Sequence, residues 1–175
     1  MKITVITPTF NSANTILANL ASVKNQKYKN LEHIIIDNKS VDGTLNLIKK
    51  QNDNRIKIVS EQDNGIYDAI NKGIKLAKGE IISILHSDDK YYNNHTLLNV
   101  INNFEDRNID IIYGDLLYTK KNNLNKIIRY WKSTNYIQGM FFKGWSPPHP
   151  SFFVKKKIYQ KFGLYSTKIG NSADI

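Results

Sequence analysis

The sequence predicts an α/β protein with a mainly parallel sheet covered by helices on both faces. Two observations carry this. Short β-branched runs alternate with stretches of helical periodicity through the first two-thirds of the chain. The strand runs are also apolar at consecutive positions, as in Ile34-Ile35-Ile36, which suits strands buried on both sides. A length of 175 residues is enough for one domain with a sizeable core.

Each element has its own signal. Residues 3–7 form a β-branched run broken by Pro8-Thr9-Phe10-Asn11-Ser12. Residues 13–25 carry Ile16, Leu17, Leu20 and Val23 at helical spacing. A second apolar run, 33–36, ends at Asp37-Asn38-Lys39-Ser40, and a helix capped by Ser40 or Asp42 follows. Residues 55–60 predict a third strand. Residues 66–77 predict a helix with Ile66, Ala69, Ile70, Ile74 and Ala77 on one side, stopped by Gly79. Residues 81–85 give a fourth strand, 97–104 a helix and 109–113 a fifth strand. Beyond about residue 116 the pattern loosens. Residues 118–125 read as a polar connection rich in Lys and Asn, 127–131 as a strand, 152–154 as a short buried strand and 155–162 as a helix closed by Gly163. The chain is expected to be a single domain, 1–175, with a ligand-binding half of about 1–115 and a looser half of about 116–175.

Composition narrows the function. No apolar stretch approaches the length needed to span a bilayer, and the first residues do not form a signal peptide. The absence of cysteine excludes disulfides and thiolate metal sites and fits a reducing cytoplasm. The formal net charge of +10 suggests an anionic partner: nucleic acid, a phosphorylated small molecule or an acidic membrane surface. Abundant Lys, Asn and Ile together also fit compositional bias. A peripheral contact with the inner face of the membrane is drawn from Trp131, Trp145, Phe141, Phe142 and Lys155-Lys156-Lys157, where rings and cations suit a headgroup region. A buried core beside a solvated lysine run is the plainer alternative.

In open parallel sheets, ligands bind beyond the carboxyl ends of the strands. That rule selects the loops 8–12, 37–42, 61–65 and 86–90. The sharpest of them contains His86-Ser87-Asp88-Asp89. Adjacent carboxylates can divide their work, one binding a hard divalent cation and the other accepting hydrogen bonds from ribose hydroxyls. A plain Asp-Asp turn is the bland alternative. Asp37 sits where a carboxylate could read a nucleobase or ribose. Asp68 and Asn71, three residues apart on a helix, share a face that could meet a metal or sugar hydroxyl. Asp68 could equally compensate the helix dipole.

Pro8-Thr9-Phe10-Asn11, the segment Asp37-Asn38-Lys39-Ser40-Val41-Asp42-Gly43-Thr44, the string Asp63-Asn64-Gly65-Ile66-Tyr67-Asp68-Ala69-Ile70-Asn71-Lys72-Gly73 and Ser87-Asp88-Asp89 occur in the order and spacing of family 2 glycosyltransferases of GT-A fold. The resemblance spans nearly the whole chain and points to the bacterial branch that builds surface polysaccharides. It implies a nucleotide-diphosphate sugar donor, a Mn²⁺ or Mg²⁺ ion, a glycan or lipid-linked acceptor and inversion at the anomeric carbon. Carried over by motif, Pro8 and Thr9 line the base pocket and Phe10 stacks on the base in place of the more common Tyr. Asp37 and Asn38 lie in the base-reading loop. Asp88 contacts ribose and metal, and Asp89 the metal. His149, in Pro148-His149-Pro150, resembles the acceptor-side segment. Asp174, in Ser172-Ala173-Asp174, matches the acid that serves as general base. Because the sequence given ends at Ile175, close to that acid, the chain is expected to bind donor well and to transfer weakly.

No dinucleotide fingerprint follows the first strand, and no phosphate-binding P-loop is present. A nucleotidyltransferase of similar fold stays open, as does a basic nucleic-acid-binding module. The lysines are scattered and no nucleic-acid motif appears, so no nucleic-acid partner is expected.

Overall fold

The computed structural model describes residues 1–106, 108–120 and 123–168. Strands and helices alternate in chain order: β1 (Ile3–Thr9), α1 (Ile16–Lys24), β2 (Leu31–Asp37), α2 (Thr44–Lys49), β3 (Ile56–Ser60), α3 (Ile66–Leu76), β4 (Ile81–Ile84) and α4 (Thr96–Phe104). Then come β5 (Ile111–Ile112), β6 (Leu116–Lys120), β7 (Asn123–Trp131), β8 (Phe153–Lys155) and α5 (Lys156–Phe162). The main sheet has the order β3-β2-β1-β4-β8-β5. Its first four strands are parallel, and β8 runs antiparallel between β4 and β5.

Alternation along the strands sorts side chains onto two faces. Ile6, Ile34, Ile36, Ile82 and Ile84 point to one face and pack under Tyr67, Ile70 and Ile74 of α3. Ile3, Val5 and Ile81 point to the other, where Leu97, Val100, Ile101 and Phe104 of α4 cover them. Ile35 joins Ile16 and Leu20 of α1 and Ile48 of α2 on that second face. Helices on both faces are therefore required by the continuous apolar strands, as the sequence predicts.

The second half departs from the sequence reading in one place. The 118–125 stretch is not merely a connection. Residues 118–120 belong to β6 and 123–125 to β7, and the two strands form a separate antiparallel pair with register shifts after Tyr118 and after Thr119. Cross-strand pairing, not local alternation, makes these polar residues extended. The short apolar run before Lys155 forms β8 as expected, but in the middle of the sheet. The expected helix after Ser40-Val41-Asp42 begins at Thr44, behind Gly43 at φ 94°. Gly43, not Ser40 or Asp42, stands at the N-cap position, and Asp42 Oδ1 accepts from the Thr44 amide at 3.0 Å to close the turn before the helix. Ser40 instead accepts from the Asn11 amide at 2.8 Å, joining two loops.

Candidate active site

The strand order reverses direction at β1: β2 and β3 lie to one side of it and β4 to the other. The loops leaving β1 and β4 therefore diverge, and the crevice between them is where an open parallel sheet receives a ligand. Thr9, Asp37 and Ser60 stand level at the carboxyl ends of β1, β2 and β3. Ser12 Oγ and Ser87 Oγ, 2.8 Å apart, tie the loops across the switch point.

Asp37 is fully buried. Its Oδ2 accepts from the Ser40 amide at 3.1 Å and from Ser60 Oγ at 2.7 Å. Its Oδ1 has no hydrogen-bond partner among the described residues, and neither has the buried Thr9 Oγ1. A buried acceptor left unsatisfied is costly unless something completes it. Two such oxygens sit on register-paired residues enclosed just below the strand lip, where N–H donors would complete their hydrogen bonding. Phe10, the next residue, is 59 % exposed despite its size, so its ring is available for stacking. Pro8 is buried within β1. Asn38 takes a bridging role: its amide donates to the Thr9 carbonyl at 3.0 Å, and its Oδ1 accepts from the Asp63 amide at 3.0 Å. Asn11 and Lys39, in the first and second loops, both adopt positive φ, 47° and 50°.

The fourth loop is held from below by α1. Asn19, buried, donates its amide to the His86 carbonyl at 2.8 Å and to the Asp89 carbonyl at 3.1 Å. Asp88 is exposed and Asp89 half-buried. Burial, with the neighbouring Asp88 charge adding to it, pushes the Asp89 carboxyl above its ordinary range, and His86 opposes this. A carboxylate pair penalised in this way is relieved by a cation, so the oxygen chemistry of this loop fits a hard divalent ion. Among the described residues no group of three or more His, Asp or Glu is assembled for metal binding. The protein would thus contribute Asp88 and Asp89, and the ligand or water the remaining oxygens.

The other predicted residues are placed differently. Asp68 Oδ2 accepts from the Asn64 amide at 3.0 Å and lies 3.5 Å from Lys72 Nζ, which also meets Glu61 at 3.0 Å. Asp68 therefore closes the turn into α3. Asn71 spends both ends of its side chain on the backbone of Tyr165, donating to the carbonyl at 2.8 Å and accepting from the amide at 3.0 Å. His149 sits in a 3-10 turn, His149–Ser151, just before β8. Since β8 runs antiparallel to β4 with Ser83 facing Phe153, that turn lies beyond the carboxyl end of β4, on the edge that carries Asp88 and Asp89. The ring of His149 packs edge-on against Tyr165 and tilted against Phe152. Asp174 lies outside the described residues.

Sequence reasoning missed the residues that hold the loops: Ser12, Asn19, Ser60 and Tyr165. Asn19 had a signal, because it falls within the inward set Ile16, Leu20, Val23 of α1, where a polar residue needs a partner. A second depression, of about 730 Å³, lies at the opposite end of the sheet near Lys24, Asp53 and Arg55. There Arg55 is already paired with Asp53 at 2.6 Å.

Residues 4–162 match the model of glycosyl transferase family 2. The chain belongs to that family. A PGL/p-HBAD biosynthesis glycosyltransferase of Mycobacterium bovis is 29% identical over 174 residues, which is 97% of this chain and 65% of the relative. The Escherichia coli enzyme WfgD, a UDP-Glc:alpha-D-GlcNAc-diphosphoundecaprenol beta-1,3-glucosyltransferase, is 31% identical over 123 residues, 70% of this chain and 48% of WfgD. The chain thus spans less than two-thirds of the length of these relatives. Among solved structures, S. aureus TarS 1–349 in complex with UDP superposes with a TM-score of 0.75 at 20% identity, covering 99% of this chain and 53% of that one. The mannosyltransferase PcManGT from Pyrobaculum calidifontis, in complex with GDP-Man and Mn²⁺, gives 0.75 at 23%, covering 99% and 50%. These likenesses establish the GT-A fold for the sheet described above.

Proposed function

We propose that this family 2 domain transfers a sugar, with inversion, from a nucleotide-diphosphate donor to a glycan or lipid-linked acceptor in bacterial surface polysaccharide synthesis. The observation that carries the reading is the buried Asp37 with its unsatisfied Oδ1, beside Thr9 Oγ1 and the exposed ring of Phe10, at the switch point of the sheet. This is an edge and a face suited to a nucleobase: acceptors for its N–H groups and a ring to stack on it. The named ligands of two fold neighbours, UDP and GDP-Man with Mn²⁺, belong to the same chemical class.

Asp88 and Asp89 would hold Mn²⁺ or Mg²⁺, and Asp88 would also meet the ribose. When bound, such an ion offsets negative charge on the diphosphate. Asn19 keeps both carboxylates in place through the backbone of their loop. Asn38 links the base loop to the 61–65 loop, and Asp68 shapes the entry to α3. Asn71 positions the Tyr165 segment, against which His149 packs on the acceptor side. Asp174 is the proposed base for the acceptor hydroxyl.

The test is calorimetry with UDP and with GDP, with and without Mn²⁺, on the native chain and on Asp37→Asn. The substitution exchanges an acceptor for a donor at Oδ1 and keeps the shape. Binding of one nucleotide should weaken by about 1.5–3 kcal/mol, the range for a lost hydrogen bond to a charged group. Unchanged affinity for both nucleotides would remove the base assignment, and with it the reading.

A further inference from the structure

The basic excess of this chain is confined to its second half. Residues 1–115 carry 14 Lys and Arg against 14 Asp and Glu. Residues 116–175 carry 11 against a single acid, Asp174. Compositional bias toward Lys does not account for this, because lysines are abundant in both halves; what changes is the loss of acids. The first half balances its charges, and the second leaves them open.

The structure shows where they open. Every residue of β7 from Asn123 to Tyr130 is exposed, so both faces of the β6–β7 pair are uncovered along β7. An uncovered two-stranded ribbon is marginal in water. This one nevertheless carries Leu124, Ile127, Ile128 and Tyr130, with Ile128 67 % exposed. Later in the chain Ile137 and Phe142 are exposed as well, Phe142 at 97 % beside Lys143 in sequence. Lys126, Lys132 and Lys143 are exposed and alternate with these residues along the sequence. Arg129 lies over the rings of Tyr118 and Trp131, at 5.4 and 5.2 Å. Asp115, at the base of the ribbon, is occupied by Ser133 and Tyr130.

We propose that the β6–β7 ribbon and the 137–143 turn form a docking surface for an anionic lipid bilayer. Cations interleaved with exposed aliphatic and aromatic side chains match a negatively charged headgroup layer over an apolar one. A second copy of the same face is disfavoured, because it would set two unbalanced cationic surfaces against each other. A nucleic acid would use the charge but not Ile127, Ile128 and Ile137, since such interfaces are more polar than this. The surface differs from the Lys155-Lys156-Lys157 run. Lys155 and Lys157 pair with Asp110, and Lys156 donates to the Ala77 carbonyl, so that run belongs to the sheet edge.

The ribbon also sits beside the candidate active site. Ser151 Oγ donates to the Gly114 carbonyl at 2.7 Å and accepts from the Gly114 amide at 3.1 Å, tying the start of the ribbon to the His149 turn. Docking would bring the acceptor side of the site to the membrane, where a lipid-linked acceptor resides. The docking itself does not depend on sugar transfer, so the two readings fail separately.

The experiment is co-sedimentation of the full chain with vesicles of phosphatidylcholine alone and of phosphatidylcholine mixed with phosphatidylglycerol. Partition should favour the anionic vesicles and decline as salt is raised. The variant Lys126→Gln, Lys132→Gln, Lys143→Gln should lose roughly a hundred-fold in partition, on the order of five-fold per cation. The variant Ile128→Ser, Phe142→Ser should also lose partition while keeping nucleotide binding, which shows that it folds. Equal partition on neutral and anionic vesicles, or partition undiminished in the lysine variant, overturns the proposal. So does retention by a single-stranded oligonucleotide that exceeds retention by anionic vesicles.

Discussion

At the scale of single residues, the strand ends and the strand interior do different work. Asp37 and Thr9 leave oxygens unsatisfied at the lip. His33, in the interior of β2, is satisfied by Thr7 Oγ1 at 2.8 Å and fully enclosed. Burial, reinforced by Arg55 and opposed by Asp53, pulls its pKa down to about 4 from 6.5. The folded chain therefore keeps a neutral ring where the unfolded chain takes up a proton. Stability from this group is complete above pH 6.5 and declines as pH falls toward 4. The loss amounts to about 3 kcal/mol over that window. Urea unfolding across pH 4 to 6.5 should show this slope, and His33→Gln should flatten it. A slope unchanged in the variant would mean that other groups set the acid sensitivity. Phe10 supplies the second prediction at this scale. Phe10→Ala should weaken nucleotide binding by about 1–3 kcal/mol, the usual value of one stacked base. Fold stability should barely move, since the ring is already mostly in solvent. Calorimetry with UDP against a sugar phosphate separates the two effects, because only the nucleotide has a base to stack.

At the scale of elements, α3 is the helix whose packing is least tolerant. A Cβ placed on Gly73 would approach Ile6 Cγ2 to 2.4 Å, so α3 touches β1 through bare backbone. Gly73→Ala would gain about 1 kcal/mol of helix propensity. It would force Ile6 to move in a packed core, which typically costs about 1–3 kcal/mol. The net expectation is destabilisation, read as a lower urea midpoint. A Gly73→Ala, Ile6→Val double variant should recover part of it, and failure to recover would show that the clash is not with Ile6. The same helix shows what a sequence can and cannot reveal. Its periodicity and its Gly79 stop are local, and so are the apolar runs of β1, β2 and β4 with the carboxylates that follow them. The loops that carry Asp37, Asp88 and Asp89 were legible for that reason. Asn71 was not, because its partner Tyr165 is 94 residues away. The end of the β6–β7 ribbon was hidden for a related reason: Lys120 and Asn123 carry no alternating pattern, and only pairing with each other makes them strand residues.

At the scale of the whole molecule, the two halves of the chain share one sheet. β8, from the second half, fills the place between β4 and β5, both from the first. Phe153 and Val154 are each 6 % exposed there, and the Phe153 ring stacks on Tyr91 with centroids 6.2 Å apart. Lys155 and Lys156 bond backbone to Asp110 and Glu80, closing the strand at its far end. Without β8, β4 would present an unpaired edge and β5 would lose its only neighbour among the described residues. Each of Phe153 and Val154 contributes on the order of 1.5–3 kcal/mol by burial. A domain is stable by only about 5–15 kcal/mol in all. A fragment of residues 1–115 is therefore expected to keep the loops 8–12, 37–42, 61–65 and 86–90 in sequence but not in a stable fold. It should unfold at a much lower urea concentration than the full chain, or without a cooperative transition. The full chain should unfold in one transition when followed by tryptophan fluorescence, which reports Trp131 and Trp145 of the second half, and by far-ultraviolet circular dichroism, which is dominated by the first. Coincident curves would show that the second half is part of one fold with the first rather than an appendage to it. If the fragment matched the full chain in midpoint, β8 would be a dispensable strand, and the β1–β4 sheet would have to be stable with an open edge.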